Sequence, residues 1–135
     1  RSRLHVETGN TPVYLALFAR APANHGYDLP YWFNVLDLPG AVVDSEREID
    51  ATDHEIAEKM SDALAAFVKT GDPSTSDLDW PRYTRENEVR MVFGDTIEAA
   101  PVSEGIKFFL DNPDVRPDAA QPGVGTTPRP AGAPL

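Results

Sequence analysis

At 135 residues the chain has the length of one domain or of part of a larger one. Hydrophobic residues make up 41% and charged residues 25%, the balance of a globular chain rather than a disordered one. The net charge of -10 sets the surface against phosphate backbones and anionic lipid, and so against nucleic-acid and membrane-surface partners. The absence of cysteine excludes disulfides and thiolate metal sites. It leaves the compartment open, and a secreted or periplasmic location is compatible with it. No apolar run approaches the roughly 20 residues that a membrane span needs. Arg1–His5 holds no signal-peptide core, so any targeting segment is expected upstream.

Arg1–Thr8 reads as the end of a helix stopped by Gly9. Val13–Ala19 is unbroken apolar or aromatic, which suits a strand of a parallel sheet buried on both faces. Ala21–Leu29 carries Pro22, Asn24, Gly26 and Asp28, all turn chemistry. Pro30 suits the first turn of a short helix, followed by an apolar cluster from Tyr31 to Leu38.

A helix is predicted over Thr52–Lys69. Thr52 and Glu55 form its capping box, and Ile56, Met60, Leu64, Phe67 and Val68 lie along one face. Lys69 suits the last turn, with Gly71 and Pro73 as stop signals. The eight acids between Asp44 and Asp62 read as a solvated face and its preceding loop. Trp80-Pro81-Arg82-Tyr83 is expected to pack its loop back on the body, and Glu88–Phe93 to form an edge strand. A turn at Gly94-Asp95, an extended piece from Ile97 and a helix over Ser103–Leu110 complete the pattern. Residues 111–135 hold six prolines and three glycines with little to bury, and are expected to form a disordered Pro-rich tail. The folded part is therefore placed at residues 1–110. Its strand and aromatic cluster need more cover than the chain supplies, so it reads as the end of a larger α/β domain.

The three histidines are His5, His25 and His54. None has a partner at metal-ligand spacing, so no metal or other cofactor is expected. His5 and His54 read as exposed. His25 follows the carboxyl end of a parallel-type strand, where open α/β sheets gather ligands and catalytic groups.

The residues around His25 resemble the last catalytic block of the type-B carboxylesterases, the cholinesterase-like branch of the α/β-hydrolases. There a strand leads to a loop bearing H-G-x-E-[apolar]-x-[aromatic]-x-F. His25, Gly26, Asp28, Leu29, Tyr31 and Phe33 match it, with Asp28 in place of glutamate. Phe67-Val68-Lys69-Thr70-Gly71-Asp72-Pro73 is similar to the family's F-A-K-T-G-D-P, and Trp80-Pro81-Arg82-Tyr83 to its W-P-x-Y. Arg90–Phe93 and Phe108–Leu110 resemble its terminal strand and helix. Asn34 and Ser74 depart from the usual glycine and asparagine.

The resemblance implies the C-terminal fragment of an α/β-hydrolase fold: a parallel central strand, a long amphipathic helix, and a terminal strand and helix. It implies His25 as the histidine of a serine-histidine-acid triad acting on a small ester. Tyr27 would lie near the leaving alcohol. Asp28 is expected to hold the loop by turn hydrogen bonds rather than serve as the triad acid. None of the serines at 2, 45, 61, 74, 76 and 103 sits in G-x-S-x-G, so the nucleophile and acid are expected upstream, in the missing N-terminal part of the same fold. A second reading is a non-catalytic interaction module on the same fold.

Overall fold

The computed structural model describes residues 2–40 and 48–111. Two compact units are separated at Val102 and Ser103. In the first, the elements run α1 (Ser2–Thr8), β1 (Ala16–Phe18), α2 (Leu29–Trp32), α3 (Ala51–Thr70), β2 (Val89–Phe93) and β3 (Ile97–Pro101). Within the described part of the second there is α4 (Glu104–Asp111), whose Lys107 N–H donates to the Ser103 carbonyl at 3.0 Å. That helix takes in Asp111, which the composition had assigned to the tail; residues 112–135 lie outside the described residues.

Among the described residues the sheet has the order β1-β2-β3. β1 and β2 run parallel, with Ala16, Leu17 and Phe18 opposite Met91, Val92 and Phe93. β2 and β3 run antiparallel. The expected edge strand is thus the central one. Its alternation encodes only which face meets the core: Met91 and Phe93 are buried, while Arg90 and Val92 are half-buried. One neighbour, β3, follows through a short turn, but the other, β1, comes from distant sequence, which a face pattern does not report.

β1 is parallel as expected, but three residues long and not buried on both faces. Met91 N–H donates to the Leu15 carbonyl at 2.8 Å, and Ala19 N–H to the Phe93 carbonyl at 2.7 Å. Odd-numbered residues therefore face β2. The backbone groups of Ala16 and Phe18 point to the opposite edge, on which the described residues place no strand.

α3 starts one residue before the predicted Thr52. Its capping box uses Asp50 and Asp53: the Asp53 N–H donates to Asp50 Oδ1 at 3.0 Å, and the Asp50 N–H to Asp53 Oδ2 at 2.9 Å. Aspartate caps at least as well as threonine, and Ala51 is a good first helical residue, so the start moves upstream. Gly71 ends the helix at φ 79°, a left-handed conformation that lacks a steric cost only in glycine. Ile56, Ala57, Met60 and Ala63 of α3 pack with Tyr31, Leu36, Leu78, Trp80, Met91 and Phe93. The predicted apolar face is only partly covered, because Phe67 remains 44% and Val68 77% exposed.

Helix α1 is fastened by charge. Arg3 Nη2 donates to Glu88 Oε2 at 2.8 Å, and the buried Tyr83 hydroxyl donates to Glu88 Oε1 at 2.8 Å. Desolvation, followed by the Glu88 hydrogen bond, pushes the Tyr83 phenol above its ordinary value. A raised phenol favours its neutral form in the fold. Its contribution is complete below the unfolded pKa of about 10 and is lost as pH rises beyond it. Melting temperature should fall as pH rises above about 10, and fall less steeply in Tyr83→Phe, which has no phenol to ionise. Parallel alkaline slopes in thermal melts of the two proteins would contradict this.

Candidate functional site

His25 sits on the loop between β1 and α2. The loop leaves the carboxyl end of β1, beside the carboxyl end of its parallel partner β2. It turns twice: Tyr27 N–H donates to the Asn24 carbonyl at 3.2 Å, and Leu29 N–H to the Gly26 carbonyl at 3.2 Å. Gly26 takes φ 79°, which lets the chain reverse directly after His25. His25 is exposed, while Tyr27 and Asp28 are half-buried.

The two predicted site residues, His25 and Tyr27, thus fall on one turn with Asp28, the residue expected to hold it. The Asp28 carboxylate accepts from Trp32 Nε1 at 3.0 Å, and its carbonyl accepts from the backbone of Tyr31 and Trp32. Its side chain does not cap α2. It ties the end of the loop to the short helix and its indole, a longer reach than the turn bond expected from sequence. Among the described residues no carboxylate pairs with His25; the histidine near an acid is His54, with Nε2 3.7 Å from Asp37 Oδ1. His5 Nε2 lies 2.8 Å from Thr11 Oγ1 and is exposed. Neither histidine lies on the β1–α2 loop.

The ends of the loop are held by groups the sequence did not single out. Arg20, the second residue after β1, reaches three carboxylates. Its Nε donates to Asp53 Oδ1 at 2.9 Å and its Nη2 to Asp50 Oδ2 at 2.6 Å, both at the start of α3. Its Nη1 donates to Asp95 in the β2–β3 turn. These acids, led by the Asp53 hydrogen bond, hold the guanidinium above its ordinary pKa, so it stays charged. At the far end, the Tyr31 hydroxyl donates to the same Asp53 Oδ1 at 2.8 Å. Asp53 is fully buried, which corrects the reading of the acidic run as a solvated face. The available signal was Asp-x-x-Asp at 50–53 before an apolar helix, with a lone arginine closing the strand.

Clefts among the described residues include two beside the sheet and α3. One of about 250 Å³ is lined by Tyr14, Ala16, Trp32, Leu64, Phe67 and Trp80; the other, of about 400 Å³, lies beside Lys59, Asp77 and Asp95. His25 lines neither. Among the described residues, no group of three histidine or acidic side chains is placed to hold a metal ion. Among the described residues, no helix is long and apolar enough to cross a membrane.

A mixed sheet with a parallel pair, a long helix on one face and a polar loop at the carboxyl end of the strands define an α/β class of fold. The model of the Carboxylesterase family matches residues 2–107, and the chain belongs to that family. The para-nitrobenzyl esterase of Bacillus subtilis (strain 168) is 33% identical over 84 residues, which cover 61% of this chain and 17% of that protein. An acetylcholinesterase of Leptinotarsa decemlineata is 29% identical over 69 residues, 51% of this chain and 10% of that one. Among solved structures, a carboxylesterase of Geobacillus stearothermophilus superposes with a TM-score of 0.61 at 29% identity, over 72% of this chain and 21% of that one. The chain thus spans about a fifth or less of each relative's length.

The φ of Gly26 gives a test of the turn. An added Cβ would meet only Leu29 Cδ1, at 3.9 Å, so the cost of Gly26→Ala is conformational rather than steric. It should destabilise the fold by about 1–2 kcal/mol, the cost of left-handed backbone in an L-residue. Chemical denaturation measures this, and a neutral result would show that the turn relaxes.

Proposed function

We propose that the chain is the C-terminal segment of a serine carboxylester hydrolase and that His25 is its triad histidine. The observation that carries this is the position of His25: exposed, on a turn at the carboxyl end of the parallel pair, in a chain of the carboxylesterase family. There the imidazole takes the proton of the nucleophilic serine as general base and returns it to the departing alcohol as general acid. The serine, the acid and the oxyanion donors come from upstream sequence, and the substrate is a small carboxylic ester. Tyr27, two residues after His25 on the same turn, borders the leaving-alcohol side.

Three features support the segment reading. The outer edge of β1 bears no strand among the described residues. The 250 Å³ cleft beside it is apolar, lined by Tyr14, Phe67 and Trp80. Trp80 Nε1 and Arg90 Nε are buried with no hydrogen-bond partner among the described residues. Buried donors are seldom left unpaired in complete folds, and Arg90 alternates with the core-facing Met91, so further chain at the β1 edge and on both faces of the sheet would account for all three.

In the longer protein, His25→Ala should lower turnover of an activated ester on the order of 10⁴-fold while the fold persists. His5→Ala and His54→Ala should leave turnover within about twofold, since surface changes away from a site move little. A folded His25→Ala protein with near wild-type rates would refute the assignment. The purified 135-residue chain alone should show no serine-inhibitor-sensitive ester turnover, because an imidazole without nucleophile or oxyanion hole supplies little catalysis. Saturable turnover by that chain would overturn the segment reading.

A further inference from the structure

We infer that Asp53 is a positioning residue for the His25 loop. It closes residues 21–30 into a ring by holding both ends on one carboxylate oxygen. This rests on the assignment of His25 above. The Arg20 Nε and the Tyr31 hydroxyl reach the same Asp53 Oδ1, at 2.9 and 2.8 Å. Asp53 is fully buried, so water does not compete for these bonds. The opposite oxygen is fixed by the Asp50 N–H at 2.9 Å, which orients the carboxylate relative to the helix axis.

The ring is completed by packing. The Tyr31 ring lies 4.7 Å from that of Phe18, the last residue of β1, so the departing helix is set against the strand from which the loop left. Arg20 adds bonds to Asp50 and Asp95, which fix the entry to α3 and to the β2–β3 turn together. Ten residues between two fixed ends have far fewer arrangements than a free loop. The geometry of a general base must hold to within a fraction of an ångström, and misplacement by about 1 Å can cost 10²-fold in rate. Asp53 touches neither substrate nor His25; it acts through the two ends of the loop.

The test uses the longer esterase with Tyr31→Phe, Arg20→Lys, Arg20→Ala and His25→Ala. Steady-state kinetics on an activated ester are read beside amide hydrogen exchange. Tyr31→Phe, which removes one oxygen and keeps the ring, should speed exchange at Tyr27 and Leu29 by about fivefold or more. It should lower kcat about tenfold with KM within about twofold, and leave exchange inside α3 unchanged. Arg20→Lys, which keeps the charge but not the fork, should retain more kcat than Arg20→Ala. Unchanged kcat and loop exchange in Tyr31→Phe would overturn the inference. So would exchange that rises uniformly through α3 and the sheet, since that is a purely structural loss. If His25→Ala keeps its turnover, the catalytic assignment fails instead, and exchange at Tyr27 and Leu29 alone decides whether Asp53 holds the loop.

Discussion

The buried carboxylate of Asp53 is the constraint around which the ordered part of this chain is arranged. An ionised group without solvent exposure is tolerable only when its oxygens are satisfied, and these are taken by Arg20, Tyr31 and the Asp50 N–H. Each partner belongs to a different element. The arginine follows the strand, the tyrosine is in the short helix, and the amide is at the cap of the long one. One charge therefore fixes where α3 begins, how it meets the sheet and where the β1–α2 loop starts and ends. Removing any partner leaves a buried oxygen underbonded, which costs more than the pair contributes over an apolar replacement. The group is better understood as specifying an arrangement than as adding stability.

Around that point the packing is one-sided. Phe93, Ile56, Met60 and Met91 are fully buried where α3 crosses β2. Trp80 reinforces the layer, 5.4 Å from the ring of Phe93 and 6.5 Å from that of Trp32. Toward the carboxyl end of α3 the cover thins, and Phe67, 44% exposed, meets the ring of Tyr14 edge-on at 6.1 Å. The apolar stripe of the helix thus runs past the surface available to receive it, on the side where β1 has an open edge. Stripe and edge both leave surface uncovered among the described residues, in a chain that spans about a fifth of its relatives' length.

What the sequence made legible was local. Pro30 at the start of α2, Gly71 at the end of α3 and the extended chain from Ile97 each depend on the conformational range of one or two residues. What it hid was non-local. The central place of β2 depends on pairings with β1, some 75 residues earlier in register, and with β3. The burial of Asp53 depends on Arg20, 33 positions away. By charge pattern Asp53 was one acid among eight. The arginine and the tyrosine across the fold distinguish it from Glu55, which stays exposed. The capping box was misplaced for a related reason: two overlapping boxes fit the sequence, and the one whose carboxylate also satisfied Arg20 prevailed.

The candidate site divides along the same line. Motif resemblance located His25, Tyr27 and Asp28 on a single turn, and the structure gives that turn a glycine hinge and two backbone bonds. Neither source alone explains how an exposed histidine could work at a defined distance from groups on other parts of a fold. A general base must be open to its substrate, so it cannot be held by burial of its own side chain. The precision has to come from the residues that bracket it, and these can be buried because they do not meet the substrate. Arg20 and Tyr31 flank the loop at the points where it enters and leaves the core, and Asp53 lies beneath both. With His25 in its proposed role, exposure at the reacting group and burial at its supports are two aspects of one arrangement.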